Sequence, residues 1–307
     1  MANRCQRYIP WIDLKCKLGE GPWYNEKRNE VRFLDIMSEK LYTADLNEGQ
    51  SSLREYDTGS SIGVTADIEG SDAEIVAGSK EGFAKFNLAT GKKEILAKFW
   101  PEGETEQFHK FRSNDGACDS RGRFWVGAFN DPKYIEPQEG AAVMFRFDPD
   151  GSIHRMWDNL SIPNGFQWSA DDKTMYMTDG PAKCIWQWDF EIETGKISNQ
   201  RPFFKREEGP GDMDGSAMDE EGCIWNAVFG GGRVLRIAKD GSKVIGEVKL
   251  PTKNITCPFF AGTELIITSA VDDSKDDPIS DRYGGSVFRI DVGVKGRPRN
   301  TYKDMTR

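Results

Sequence analysis

Apolar and polar positions alternate with a period of two through much of this chain, as in Met144-Phe145-Arg146-Phe147 and Ile185-Trp186-Gln187-Trp188. That period sends successive side chains to opposite faces of an extended strand. One unit recurs: an alternating strand, a short polar or glycine turn, then a second alternating strand ending near Asp or Asn. It appears at 31–35 with 41–45, 74–78 with 83–87, and 124–128 with 143–148. It appears again at 175–179 with 185–189, 224–228 with 234–237, and 265–269 with 287–291. Turn signals such as Thr90-Gly91, Pro149-Asp150-Gly151 and Thr194-Gly195 punctuate the units, and long amphipathic helices are absent.

Six units at steps of roughly 41 to 51 residues match one four-stranded blade per repeat. The pattern predicts an all-β fold: a six-bladed β-propeller spanning 1–307 as a single domain. A β-sandwich is the structural rival. Six similar units of this length suit radial repetition better, because it leaves only short, protected strand edges.

Composition narrows the class. Hydrophobic residues make up 37% and charged residues 30%, a globular mixture. The formal charge is −9 and no Lys/Arg stripe appears, which argues against a nucleic-acid partner. No apolar run reaches the roughly 20 residues of a membrane helix, and 1–10, with Arg4 and Arg7, does not read as a secretory signal. Cys5, Cys16, Cys118, Cys184, Cys223 and Cys257 show no Cys-x-x-Cys spacing. They read as free thiols in a reducing compartment, so the expected location is cytoplasmic. Two histidines, His109 and His154, leave little material for a histidine–zinc site or a serine–histidine triad. His109 reads as a solvated loop residue, with a supporting base as the alternative, and His154 has no assigned role.

Polar clusters stand before four of the strand pairs: Gly19-Glu20-Gly21-Pro22, Arg112-Ser113-Asn114-Asp115-Gly116, Pro163-Asn164-Gly165 and Asp214-Gly215. Each Asn-Gly or Asp-Gly alone reads as a hairpin turn. Their joint occurrence at matching phase is the signal. If each blade's first strand lines the axis, a propeller brings them together. Glu20, Asn164 and Asp214 then form an all-oxygen set suited to a hard divalent cation, giving the propeller a central metal site.

The order and spacing of these clusters resemble the family of senescence marker protein (regucalcin), gluconolactonase-type sugar lactonases and the luciferin-regenerating enzyme. Further matching stretches are Gly122-Arg123-Phe124-Trp125-Val126-Gly127, Pro163-Asn164-Gly165-Phe166-x-Trp168-Ser169, Gly231-Gly232-Arg233-Val234, Thr268-Ser269-Ala270 and Val292-Gly293-Val294-Lys295-Gly296. The resemblance implies that Glu20, Asn164 and Asp214 hold one divalent ion, Ca²⁺ first, with Mg²⁺, Mn²⁺ or Zn²⁺ as alternatives. It implies that Arg112 and Asn114 face a small-molecule lactone or ester.

The expected reaction is metal-dependent opening of a small lactone, with Asp214, Arg112 and Asn114 as the catalytic set. Asp214 is the candidate base. A non-catalytic calcium-binding regulator, or a hydrolase of a non-sugar lactone or an organophosphate ester, is the alternative. The chain departs from the family pattern at Trp23, one place early, and at Met213, where the family has proline. An acid that contacts substrate in the third-blade insertion falls within 130–140, where Glu136 is the choice and Glu139 the alternative. Trp23, Trp168 and Phe129 are candidates for the channel mouth, and Trp125, Trp186, Trp188 and Trp225 for packing between blades. Asp179 reads either as a supporting acid near the axis or as a strand-end turn. Gly230-Gly231-Gly232 reads as a hairpin rather than a phosphate cradle.

Overall fold

The computed structural model describes residues 9–207, 209–274 and 277–306, so Arg4, Cys5 and Arg7 lie outside the described residues. The first blade consists of β1 (Gly19–Asn25), β2 (Glu30–Asp35), β3 (Lys40–Asp45) and β4 (Arg54–Asp57). The second has β5 (Ile62–Asp67), β6 (Glu74–Ser79), β7 (Gly82–Asn87) and β8 (Lys92–Lys98). A short helix, α1 (Thr105–Lys110), leads into β9 (Phe111–Cys118), β10 (Phe124–Asn130), β11 (Ala142–Phe147) and β12 (Ile153–Leu160). The fourth blade is β13 (Pro163–Trp168), β14 (Thr174–Asp179), β15 (Cys184–Glu191) and β16 (Lys196–Lys205). The fifth is β17 (Asp212–Met218), β18 (Ile224–Phe229), β19 (Arg233–Ile237) and β20 (Val244–Lys249). The sixth has β21 (Ile255–Ala261), β22 (Glu264–Ser269) and β23 (Phe288–Asp291), with α2 (Pro278–Tyr283) inserted before β23.

The strand pairs read from the sequence are the second and third strands of each blade. All pairings within the blades are antiparallel, and β2 and β3 run in register from Glu30 opposite Asp45 to Asp35 opposite Lys40. The first strand of each blade touches the first strand of the next, from β1 through β5, β9, β13, β17 and β21 back to β1. This closed ring makes the molecule a six-bladed β-propeller. Ile12 bridges Val287, so the start of the described chain closes the last blade.

Burial follows distance from the axis. β5, β9, β13 and β21 are buried throughout, whereas the outer β4, β8 and β20 are mostly exposed and carry Lys, Arg, Asp and Glu. Those charges protect the free edges from pairing with another chain. The core is laid down between blades. Phe83 stacks on Phe147 at 4.9 Å and Phe99 on Phe145 at 4.9 Å, joining the second blade to the third. Trp125 and Trp188 are fully buried in the next layer, each worth about 2–3 kcal/mol of burial. Trp225 is buried as well, and Trp186 packs half-buried, all in the packing role expected from sequence.

Blades three and five repeat one polar latch. Asp119 accepts from Trp125 Nε1 at 2.8 Å and Arg123 Nε at 2.7 Å. Asp219 accepts from Trp225 Nε1 at 2.9 Å and Arg236 Nε at 3.0 Å. Beyond β23 the chain crosses the propeller as a strap. It bridges Asp219 through Gly296, Cys118 through Asn300 and Ile68 through Tyr302.

Candidate metal and substrate site at the channel axis

Each axial ladder slips register once. The slips fall at Glu20/Trp23 in β1, Ile62/Val64 in β5, Asn164/Gln167 in β13, Met213/Ser216 in β17 and Ile255/Pro258 in β21. The ladder of β9 slips between its partners Val126 and Ala128, opposite Asn114 and Asp115. A bulge bends its strand and re-aims a side chain. Here the slips fall at or beside Glu20, Asn114, Asn164 and Asp214, on the first strands of four blades. The Asn-Gly and Asp-Gly dipeptides are therefore bulges within strands and not hairpin turns. Gly165 has φ 58°, and a Cβ there would lie 2.4 Å from Ser216 Oγ, so only glycine fits.

Strand-end acids hold two of these bulges. Asp35, at the end of β2, accepts from the N–H groups of Lys17 at 2.9 Å and Leu18 at 3.1 Å, just before Glu20. Asp179, at the end of β14, accepts from Ser161 at 3.0 Å and Ile162 at 3.1 Å, just before Asn164. The two readings of Asp179, strand end and supporting acid, are thus one arrangement. Asn226 donates to the Asp214 carbonyl at 2.7 Å. Asp115 accepts from Gly116 and Gly165, both at 2.6 Å, locking the third-blade bulge to the fourth.

At the centre, Asn114 Nδ2 donates to Asn164 Oδ1 at 2.9 Å, and Arg112 Nη1 donates to Asn114 Oδ1 at 3.1 Å. The Arg112 guanidinium lies 4.6 Å from the centre of the Phe129 ring, and its Nε is buried without a partner. Burial pushes the Arg112 pKa down to about 10, against the charges of Asp131, Glu20 and Asp214. Glu20 is buried and Asp214 half-buried. Desolvation raises both carboxyls well above the usual range; the charges of Asp214 and Asp115 add to this at Glu20, and Asp115 adds to it at Asp214. Among the described residues neither Glu20 nor Asp214 forms an ion pair.

This donor set fits a divalent cation. Two carboxyls and an amide oxygen, with no ion pair at either acid among the described residues, are hard oxygen donors whose ionised form a divalent cation would favour. A second acidic group, Asp219, Glu221 and Cys223, is compact enough to hold a metal. The Asp219 carboxylate, however, already accepts from Glu221 N, Cys223 N, Trp225 Nε1 and Arg236. That group is a latch of the fold.

Other sequence candidates divide. Phe129 lies beneath Arg112, in the site. Trp23 and Trp168 do not stand at the mouth: Trp23 packs on Phe259 at 5.6 Å and Trp168 beside Trp125 at 6.1 Å, both buried. Their rings belong to the layers between blades. Glu136 and Glu139 are exposed on the insertion. The acid of 130–140 that acts on Arg112 is Asp131, held by Lys80 Nζ at 2.8 Å. Pairing with Lys80 removes it from the loop tip, which residue type alone does not signal. His109 is exposed on α1. A cavity of about 240 Å³ opens between the insertion and the fourth blade, lined in part by Glu139, Ser161 and Ile162.

The description "SMP-30/Gluconolactonase/LRE-like region" matches residues 18–271. The chain belongs to this family. A putative sugar lactone lactonase, YvrE, of Bacillus subtilis is 27% identical over 92% of this chain and 94% of its own length. Regucalcin of Gallus gallus is 31% identical over 92% and 93%. The crystal structure of a calcium-binding protein, regucalcin, from Agrobacterium tumefaciens superposes with a TM-score of 0.86 at 27% identity, covering 96% of this chain and 97% of that one. Where this member of the SMP-30/gluconolactonase family has Met213 in place of proline, the side chain is buried against the fifth-blade core, opposite Val228. Asp214 keeps its place in the bulge beside it.

Proposed function

We propose that the protein is a metal-dependent lactonase that opens a small sugar lactone or related ester at the channel axis. The observation that carries this reading is that the Asp214 charge acts on Glu20 from another blade, while neither acid forms an ion pair among the described residues. The lactonase and calcium-binding relatives support the same chemistry.

Glu20, Asn164 and Asp214 would hold one divalent cation, Ca²⁺ first, which when bound would supply Lewis acidity to the lactone carbonyl and acidify water. Arg112, desolvated and with its Nε unpartnered, donates to ring or carboxyl oxygens and orients the substrate. Asn114, fixed between Arg112 and Asn164, hydrogen-bonds a substrate hydroxyl or the attacking water. Asp214 accepts the proton of that water at its carboxylate as the water oxygen bonds to the carbonyl carbon, and returns it to the ring oxygen as the ring C–O bond breaks. Phe129 stiffens Arg112 from below. Asp131 sets the charge beside Arg112, and Glu136, exposed on the insertion, is the acid that contacts substrate.

The five described cysteines are free, which supports a reducing, cytoplasmic setting. Among the described residues no helix is long and apolar enough to cross a membrane.

The test is a chelator-stripped sample assayed on gluconolactone, other aldonolactones and phenyl esters, with Ca²⁺, Mg²⁺, Mn²⁺ or Zn²⁺ restored. Turnover that returns with cation supports the proposal. Cation binding without turnover on any substrate favours a calcium-binding regulator.

A further inference from the structure

The strap beyond β23 reaches back into the propeller beneath the axial site. Arg299 Nη1 donates to the Phe166 carbonyl at 2.9 Å, and its Nη2 donates to the Ser216 carbonyl at 3.0 Å. Phe166 lies two residues beyond Asn164 on β13, and Ser216 two residues beyond Asp214 on β17. One planar guanidinium therefore ties two blades together, on each strand two residues beyond a proposed ligand. A forked donor of fixed geometry sets the spacing of the two carbonyls it joins.

The surroundings reinforce the fork. Gln167 Nε2 also donates to the Ser216 carbonyl, at 2.8 Å, and Ser216 Oγ donates to the Gly165 carbonyl at 3.2 Å. The Arg299 head group lies 5.6 Å from the centre of the Phe259 ring on β21, so it contacts a third axial strand. Its charge acts on Asp115, whose carboxylate holds the Gly165 N–H. On either side the strap is pinned by Arg297 N to the Met218 carbonyl at 2.9 Å and by Tyr302 N to the Asp67 carbonyl at 2.9 Å.

We propose that Arg299 is a positioning residue of the axial site, fixing the separation of Asn164 and Asp214 from beneath by clamping the Phe166 and Ser216 carbonyls. The proposal rests on the metal reading above. It makes the strap part of the functional architecture rather than a closing segment alone, because two of the three ligands come from strands that Arg299 ties together.

Arg299→Met keeps the stem and removes the fork, Arg299→Lys keeps the charge with a single head, and Arg297→Met loosens the strap by removing the Arg297 Nη1 bond to the Trp168 carbonyl without touching the two clamped carbonyls. Each is titrated with Ca²⁺ and Mn²⁺ by calorimetry, and cation-free melting is followed in parallel. Arg299→Met is expected to bind cation about 10- to 100-fold more weakly, with Arg299→Lys between it and the parent. Arg297→Met is expected to melt earlier while its cation affinity stays that of the parent. If Arg299→Met does not fold, Arg299→Lys decides: weakened affinity supports the clamp, and parental affinity overturns it. Parental affinity in a folded Arg299→Met likewise overturns the clamp and leaves the metal site standing. A parent protein that binds no divalent cation overturns the metal reading and the clamp together.

Discussion

Asn114 Nδ2 reaches Asn164 Oδ1 at 2.9 Å across the junction of the third and fourth blades. The same Nδ2 donates to the Pro163 carbonyl at 3.1 Å, and Asn114 Oδ1 accepts from Arg112. Asn114 thus couples the Arg112 guanidinium to a proposed ligand. Asn114→Ala is expected to lower kcat/KM for lactone opening by about 10- to 100-fold and to weaken cation binding. Steady-state kinetics alongside a cation titration measures both; an unchanged kcat/KM contradicts the coupling.

Asp214→Asn is expected to abolish cation-dependent turnover while leaving the fold intact. Burial raises the folded-state pKa of Asp214, so the cation-free folded chain holds a proton that the unfolded chain gives up in the usual range near about 4. The stability contributed by this group is therefore present at low pH and declines as pH rises toward the folded value. The cation-free variant should gain on the parent in melting temperature as pH is raised from about 5 to about 8. Calorimetric scans across that range check the sign, and a constant gap contradicts it.

Arg32 and Asp67 test the joint between the first two blades. Arg32 Nη1 meets Asp67 Oδ1 at 2.9 Å, with both residues buried. Desolvation works to raise the Asp67 pKa, but Arg32 and the Asn25 hydrogen bond overcome it and hold the carboxyl below its usual range. Its stabilisation is present above the unfolded pKa and is lost as pH falls through the folded value. Asp67→Asn is expected to cost about 3 kcal/mol near neutral pH, as for breaking a buried pair. Denaturant titrations should show the cost shrinking toward pH about 3.

Asp219 separates latch from ligand. It receives Trp225 Nε1, Arg236 and two backbone N–H groups. Asp219→Ala is expected to destabilise the fold by about 3 kcal/mol or more through those orphaned donors. Cation stoichiometry should stay unchanged. A lost cation equivalent, measured by elemental analysis after dialysis, would place a metal there instead.

Alternation and repeat length are enough to predict six blades and the residues of their second and third strands, because apolar and polar side chains alternate along them even where, as in β11, the fold buries both faces. The axial strands are harder to see. β9 and β13 are buried on every residue and carry Asp, Asn, Gly and Pro, so their pattern reads as turns. The polar clusters in them still stand out through matching phase, which is why Glu20, Arg112, Asn114, Asn164 and Asp214 form one recognisable group in the sequence alone.

What the chain order does not disclose comes from closing the ring. Asp131 faces Arg112 because Lys80 of the second blade holds it, and Trp23 and Trp168 enter the layers between blades because neighbouring aromatic rings offer them dry contact. Arg299 lies 133 residues from Phe166 and 83 from Ser216, with no motif to link them. Period and phase along a strand are local, set by the pleat, and survive in the sequence. Which side chain meets which across blades depends on closure of a circle, and only the folded chain decides that.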